Sequence, residues 1–161
     1  MYSSLRKILV PTDNSENSAD AFKIALDFAE KHDASIHVLH VVHTNYLAEA
    51  HRHEPHLFLE SPPTYEKNLI SKGRRETEEF IKKHQGDRTG VTIEVEVKEG
   101  DTVQEILKAV KDKGIDIIVM GTHGKKGPVH TMMGSITEKI VREAPCPMLT
   151  VKRKEVAHRV G

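Results

Sequence analysis

The sequence predicts an α/β domain: a five-stranded, doubly wound parallel sheet in the order 3-2-1-4-5, with helices on both faces. Three observations carry this. Strand-like and helix-like apolar periods alternate along the chain, the pattern of a parallel sheet clad by helices. Four of the strand segments are short apolar runs, whereas the third alternates apolar with charged or polar residues and so has one wet face. Right-handed crossovers then leave few windings. Alternation alone does not fix the strand order, but a half-wet third strand reads as an edge, and that fits 3-2-1-4-5.

Taken in order, residues 7–10 form the first strand, stopped by Pro11. Ala19, Phe22, Ala25, Leu26 and Ala29 share one helical face, with Ser15 or Ser18 available as cap. Residues 36–42 (IHVLHVV) form the second strand. A polar connection containing His and Pro runs over about 44–63. Tyr65, Leu69, Gly73, Thr77, Phe80 and His84 recur at helical spacing, with Pro62 and Pro63 at the start and Gly86 past the end. Val91, Ile93, Val95 and Val97 alternate with Thr92, Glu94, Glu96 and Lys98 as the third strand. Val103, Ile106, Leu107 and Val110 make the next helical stripe, with Thr102 and Glu105 as a capping box and Gly114 as terminator. Residues 115–120 form a fourth strand, and a glycine-punctuated loop spans 121–134. Ser135 and Glu138 read as a second capping box, with Ile136, Ile140 and Val141 facing inward. Pro145 stops that helix, and residues 148–151 form the last strand.

A length of 161 residues suits one domain, expected over 1–152, with a polar tail at 153–161. Such a chain buries roughly 70% of its unfolded surface and needs no metal or disulfide staple to fold. The 24 basic and 24 acidic residues cancel, so charge gives no reason to expect a nucleic-acid partner. The eleven His residues would turn the chain basic near pH 6. The single Cys146 excludes an internal disulfide and suits a reducing compartment. The apolar run at residues 8–10 is too short for a signal peptide, and no segment approaches the ~20 apolar residues of a membrane span. The expectation is a cytoplasmic domain without a membrane partner.

In the order 3-2-1-4-5 the winding reverses between strands 1 and 4. Ligands bind outside the carboxyl ends of strands at such a point. Strand 1 ends at Pro11, Thr12 and Asp13, and strand 4 at Met120 and Gly121, so both loops would border one crevice. In the loop that follows, Gly121, Gly124 and Gly127 lack Cβ atoms where backbone must turn or approach a ligand. Gly134 and Ser135 stand where a helix starts, and its free N–H groups and dipole favour a phosphate. Ser135 and Thr137 add hydroxyls, and Lys125 and Lys126 add positive charge. The plainer alternative is a loop that only turns, with Ser135 as an ordinary cap. Neither a P-loop nor a Gly-x-Gly-x-x-Gly fingerprint is present.

The spacing Gly121-x2-Gly124-x9-Gly134-Ser135 resembles the nucleotide-binding pattern of the universal stress protein family. KILVPTDNS at strand 1, DIIVMGTHG at strand 4 and EAPCPMLTVK at strand 5 agree in register, so the resemblance spans about residues 7–152. It implies an adenine-nucleotide α-hydrolase-like fold and ATP binding, with Mg or Mn on the phosphates. It implies that Pro11, Thr12, Val41 and Met120 line the adenine pocket, and that Asp13 faces the ribose or the metal. It implies that Gly121, His123, Gly124 and Gly127 wrap ribose and phosphates, and that Gly134, Ser135, Ile136 and Thr137 hold the β- and γ-phosphates. It also implies a homodimer paired through the last strand at Met148, Leu149 and Val151, and a regulatory role in the stress response. Asn14 stands where many relatives have Gly, and Asn tolerates the same turn.

No nucleophile–base pair is evident, and the His-x-Gly-His signature of fold-related adenylyl transferases is absent. Slow hydrolysis by Asp13 and His123 with a metal, nucleotidyl transfer, and a nucleotide-free dimeric interaction module remain the rival readings. Asp13 is either a general base or a helix cap, the cap reading being weakened by Ser15 and Ser18 nearby. His51, His53 and His56 suggest a metal site, but their spacing fits no zinc pattern, and a solvated loop is the favoured reading. His37, His40 and His43 alternate faces of a strand and cannot share one ligand. Cys146, between two prolines, reads as a packed apolar group, and Met132 and Met133 as packing under the loop.

Overall fold

The computed structural model describes residues 4–43, 62–122 and 134–153. Its elements are β1 (Lys7–Pro11), α1 (Glu16–His32), β2 (Ser35–His43), α2 (Pro62–Gln85), β3 (Ile93–Gly100), α3 (Thr102–Lys113), β4 (Ile117–Gly121), α4 (Ser135–Glu143) and β5 (Met148–Val151). The sheet runs β3-β2-β1-β4-β5, and every pairing is parallel. This is the predicted order, with the half-wet β3 at one edge.

Residue alternation along the strands builds two cores. Ile8, Val10, Ile36, Val38 and Val119 face one way, against Phe22, Ala25 and Leu26 of α1 and Phe80 and Ile81 of α2. Leu9, Leu39, Ile118 and Met120 face the other way, against Ile106 and Val110 of α3 and Ile140 of α4. Helices therefore cover both faces, and the central strands are apolar on both sides, as a parallel sheet requires.

The helix ends correct three sequence expectations. The cap of α3 is Asp101, whose carboxylate accepts from Gln104 N–H at 3.0 Å, and Thr102 is already helical. The cap thus sits one residue earlier than expected. At α4 the cap position is Gly134, without a side-chain bond, and Ser135 is the first helical residue. Glu138 accepts from Arg142 at 2.7 Å rather than closing a box. Only Ile140 of the three inward candidates is buried; Ile136 and Val141 are 41% and 48% exposed. A nine-residue helix at 100° per residue docks by one narrow stripe, and here Thr137 and Ile140 fill it.

Ser15 caps α1 by position, in extended conformation, without a side-chain capping bond. Gly114 closes α3 in the left-handed conformation at φ 62°, as predicted. His51, His53, His56, Lys125, Lys126, Met132, Met133 and residues 154–161 lie outside the described residues. Among the described residues no helix is long and apolar enough to cross a membrane.

Candidate functional site

The winding reversal between β1 and β4 opens a cleft of about 160 Å³ at their carboxyl ends. Pro11, Thr12 and Asp13 come from the end of β1, and Met120 and Gly121 from the end of β4. Leu39 and Val41 of β2 and Ile106 of α3 supply an apolar floor. Ile136 and Thr137 of α4 stand across from them, and Ser18 and Thr102 are the other lining residues among those described. The lining thus combines apolar side chains with the polar groups of Thr12, Asp13, Ser18, Thr102 and Thr137, the mixture typical of a small-molecule pocket.

The β1 wall is fixed by hydrogen bonds whose directions can be assigned. Ser18 Oγ gives its single proton to the Ser15 carbonyl at 2.7 Å. In the 2.9 Å contact between Thr12 Oγ1 and Ser18 Oγ, the donor must therefore be Thr12. Thr12 Oγ1 in turn accepts from Asn14 N–H at 3.0 Å. Asn14 adopts a left-handed backbone at φ 63°, the conformation for which glycine would otherwise be chosen. Asp13 accepts from Ser15 N–H at 3.0 Å and from the Ser15 hydroxyl. The carboxylate thus stabilises the turn into α1 while standing on the cleft wall, so part of the cap reading holds.

The opposite wall is bolted to the sheet. Gly134 N–H donates to the Thr122 carbonyl at 2.7 Å, and Thr122 N–H to Val151 at 3.1 Å. Thr137 donates its hydroxyl proton to the Gly121 carbonyl at 3.0 Å, so in this state that proton is not offered to a ligand. The first intrahelical bond of α4 runs from Glu138 N–H to Gly134. The N–H groups of residues 135–137 precede it and are the groups a helix start offers to an anion. Gly134 itself sits at φ −61°, ψ 155°, which any residue adopts. Backbone conformation therefore gives no reason for glycine there.

The structure thus brings together Pro11, Thr12, Asp13, Val41, Met120, Gly121, Ile136 and Thr137. Gly134 and Ser135 lie at the head of α4 beside the cleft without lining it. His123, Gly124 and Gly127 lie outside the described residues. Sequence reasoning missed Ser18, Leu39, Thr102 and Ile106. Leu39 shares a strand face with Val41, and Ile106 lies one turn beyond Thr102, so periodicity carried a signal for three of the four.

The remaining candidates have structural roles. His37 is buried and pairs with Glu96 at 2.6 Å, while His40 bonds the Thr12 carbonyl at 2.9 Å. The two rings lie on opposite faces of β2, as expected. Cys146 is half-buried against the α3–α4 core, and burial pushes its thiol above the usual range, which fits packing rather than nucleophilic chemistry. Among the described residues, no group of three or more His, Cys, Asp or Glu converges on a metal position.

Comparison with known proteins agrees with the fold. Residues 4–152 match the universal stress protein family. Universal stress protein MJ0531 of Methanocaldococcus jannaschii is 34% identical over 151 residues, covering 92% of this chain and 82% of the relative. Universal stress protein MJ0577 of the same organism is 31% identical over 156 residues, covering 92% and 96%. The solved structure of MJ0577 superimposes with a TM-score of 0.69, at 29% identity, over 94% of this chain and 98% of that one. A universal stress protein solved in complex with cAMP has a TM-score of 0.63 at 18% identity, over 94% and 100%, a likeness that shows the fold alone.

Proposed function

The chain belongs to the universal stress protein family, and we propose that its cleft binds ATP and that occupancy regulates a stress response. The carrying observation is the cleft itself. An apolar slot at the winding reversal is flanked by Asp13 on one wall and by the head of α4 on the other. In this reading Pro11, Thr12, Val41 and Met120 receive the adenine, and Asp13 takes the ribose hydroxyls or a Mg or Mn ion carried on the phosphates. The N–H groups at Ser135, Ile136 and Thr137 take the phosphates, with Gly134 leaving room for them. Gly121, His123, Gly124 and Gly127 complete the enclosure. The residues present fit the ligand: the floor is apolar, and Asp13 is the one carboxylate among the described lining residues. A solved protein of this fold holds cAMP, so the fold accommodates an adenine nucleotide.

The domain is assigned to residues 1–152, acting in the cytoplasm as a homodimer through β5. The regulatory reading is preferred to an ATPase or transferase. The test is denaturation of purified protein and ion-exchange chromatography of the supernatant beside ATP, ADP and AMP standards, followed by ATP titration. Release of ATP, or a melting shift with ATP and magnesium, is expected. Gly134→Val is expected to abolish binding, because a branched Cβ would stand where phosphate approaches backbone. Empty protein with no melting shift would overturn the reading in favour of a nucleotide-free interaction module. A Gly134→Val variant that binds like the parent would remove the phosphate assignment alone.

A further inference from the structure

The wall of the cleft is held from behind by residues that do not line it. His40 Nδ1 lies 2.9 Å from the Thr12 carbonyl. A carbonyl only accepts, so Nδ1 carries the proton and donates it. On the other side of Asp13, Asn14 Nδ2 lies 3.0 Å from Thr77 Oγ1. Thr77 gives its only hydroxyl proton to the Gly73 carbonyl at 2.7 Å, so it must accept from Asn14. Thr77 is fully buried in α2. Gly73, one turn earlier, lies directly over His40: a Cβ at that position would stand 3.3 Å from the His40 ring. One tether thus ends on α2 at Thr77 and the other on His40, packed beneath the same turn of α2, and Asp13 is the residue between their attachment points.

We propose that His40 and Thr77 are positioning residues of the nucleotide site. Acting through Thr12 and Asn14, they hold the Asp13 carboxylate where it receives the ribose hydroxyls. This rests on the nucleotide reading above. Neither His40 nor Thr77 borders the cleft, so neither touches the ligand. The left-handed turn at Asn14 is what brings its amide to α2 while Asp13 faces the cleft. Docking of α2 and the placement of Asp13 are then one structural event, because the same turn of α2 carries both the tether and the helix contact with His40.

The test is calorimetric titration of ATP into the full chain and into Thr77→Val, Asn14→Gly and His40→Phe. Valine keeps the shape of threonine without the acceptor, and glycine keeps the left-handed turn without the amide. Each variant is expected to bind ATP about 5- to 10-fold more weakly, the loss of one positioning hydrogen bond. Thr77→Val with Asn14→Gly should bind no worse than the weaker single variant, since both cut one bond. The distinguishing measurement uses 2′,3′-dideoxy-ATP, which lacks the hydroxyls assigned to Asp13. Parent and variants should bind it alike. Variants that bind ATP as tightly as the parent overturn the inference, and so does an equal penalty with the dideoxy analogue, because the effect would then not pass through the ribose hydroxyls. A parent that binds no ATP is seen before any variant is compared, and then the nucleotide reading fails and takes this inference with it. If Thr77→Val does not fold, Asn14→Gly carries the same comparison.

Discussion

At the scale of the residue, Asn14 joins backbone conformation to the site. A left-handed backbone costs an ordinary L-residue about 1–2 kcal/mol, and glycine almost nothing. Both Asn14→Ala and Asn14→Gly lose the amide bond to Thr77, so the difference between them isolates the backbone cost. Asn14→Ala is expected to be the less stable by about 1 kcal/mol in urea unfolding; equal stabilities would show that the turn relaxes. A second residue-scale prediction concerns His84. Its side chain is largely buried, with the ring 4.8 Å from that of Phe80. Burial lowers its pKa from the ordinary 6.5, while the Glu16 carboxylate at 3.7 Å pulls the other way. The folded protein therefore prefers the neutral ring, and the unfolded chain takes the proton first as pH falls. Stability contributed by His84 is complete above pH 6.5 and is lost as pH drops from there toward the folded value. The melting temperature should fall more between pH 7.5 and 5.5 in the parent than in His84→Leu. Parallel pH profiles would refute the assignment.

At the scale of the element, the strands and helices were legible because period and burial agree. Ala19, Phe22, Ala25, Leu26 and Ala29 recur on one helical face and are all buried in α1. The edge position of β3 was legible from Glu94, Glu96 and Lys98 on one of its faces. Caps were less legible, since Asp101 and Thr102 are both competent and the choice depends on where β3 ends. Gly100, at φ 149°, turns the chain one residue before Asp101. A measurement separates the two: Asp101→Ala should cost about 1 kcal/mol of stability, and Thr102→Ala far less. Equal losses would restore the original box. The cleft walls at Pro11–Thr12–Asp13 and Met120–Gly121 followed from the strand order alone. The tethers did not, because His40 to Thr12 spans 28 residues and Asn14 to Thr77 spans 63. No local period reports a bond between side chains that only tertiary packing brings together.

At the scale of the whole molecule, the two sheet edges differ. The β3 edge carries Glu94, Glu96, Lys98 and Glu99, and such charges deter strand addition. The β5 edge reads Met148, Leu149, Thr150, Val151, without a charge. Its bonding direction follows from two contacts with the neighbouring strand: Ile118 N–H donates to Pro147, and Thr122 N–H to Val151. Parallel pairing uses alternate residues, so residues 147, 149 and 151 face β4, while Met148 and Thr150 turn their backbone groups outward. An uncharged edge with outward N–H and C=O groups is a template for a second strand, and the partner proposed above is a second copy of this chain. Thr150→Pro removes one outward N–H and leaves the bonds to β4 intact, the position at which edge strands tolerate proline. Light scattering on the eluting protein should show a dimer for the parent and a monomer for Thr150→Pro, with ATP affinity unchanged because Thr150 does not line the cleft. A monomeric parent would remove the dimer from the reading. A Thr150→Pro protein that stays dimeric would move the interface away from β5 and leave the edge to be explained by its own short length.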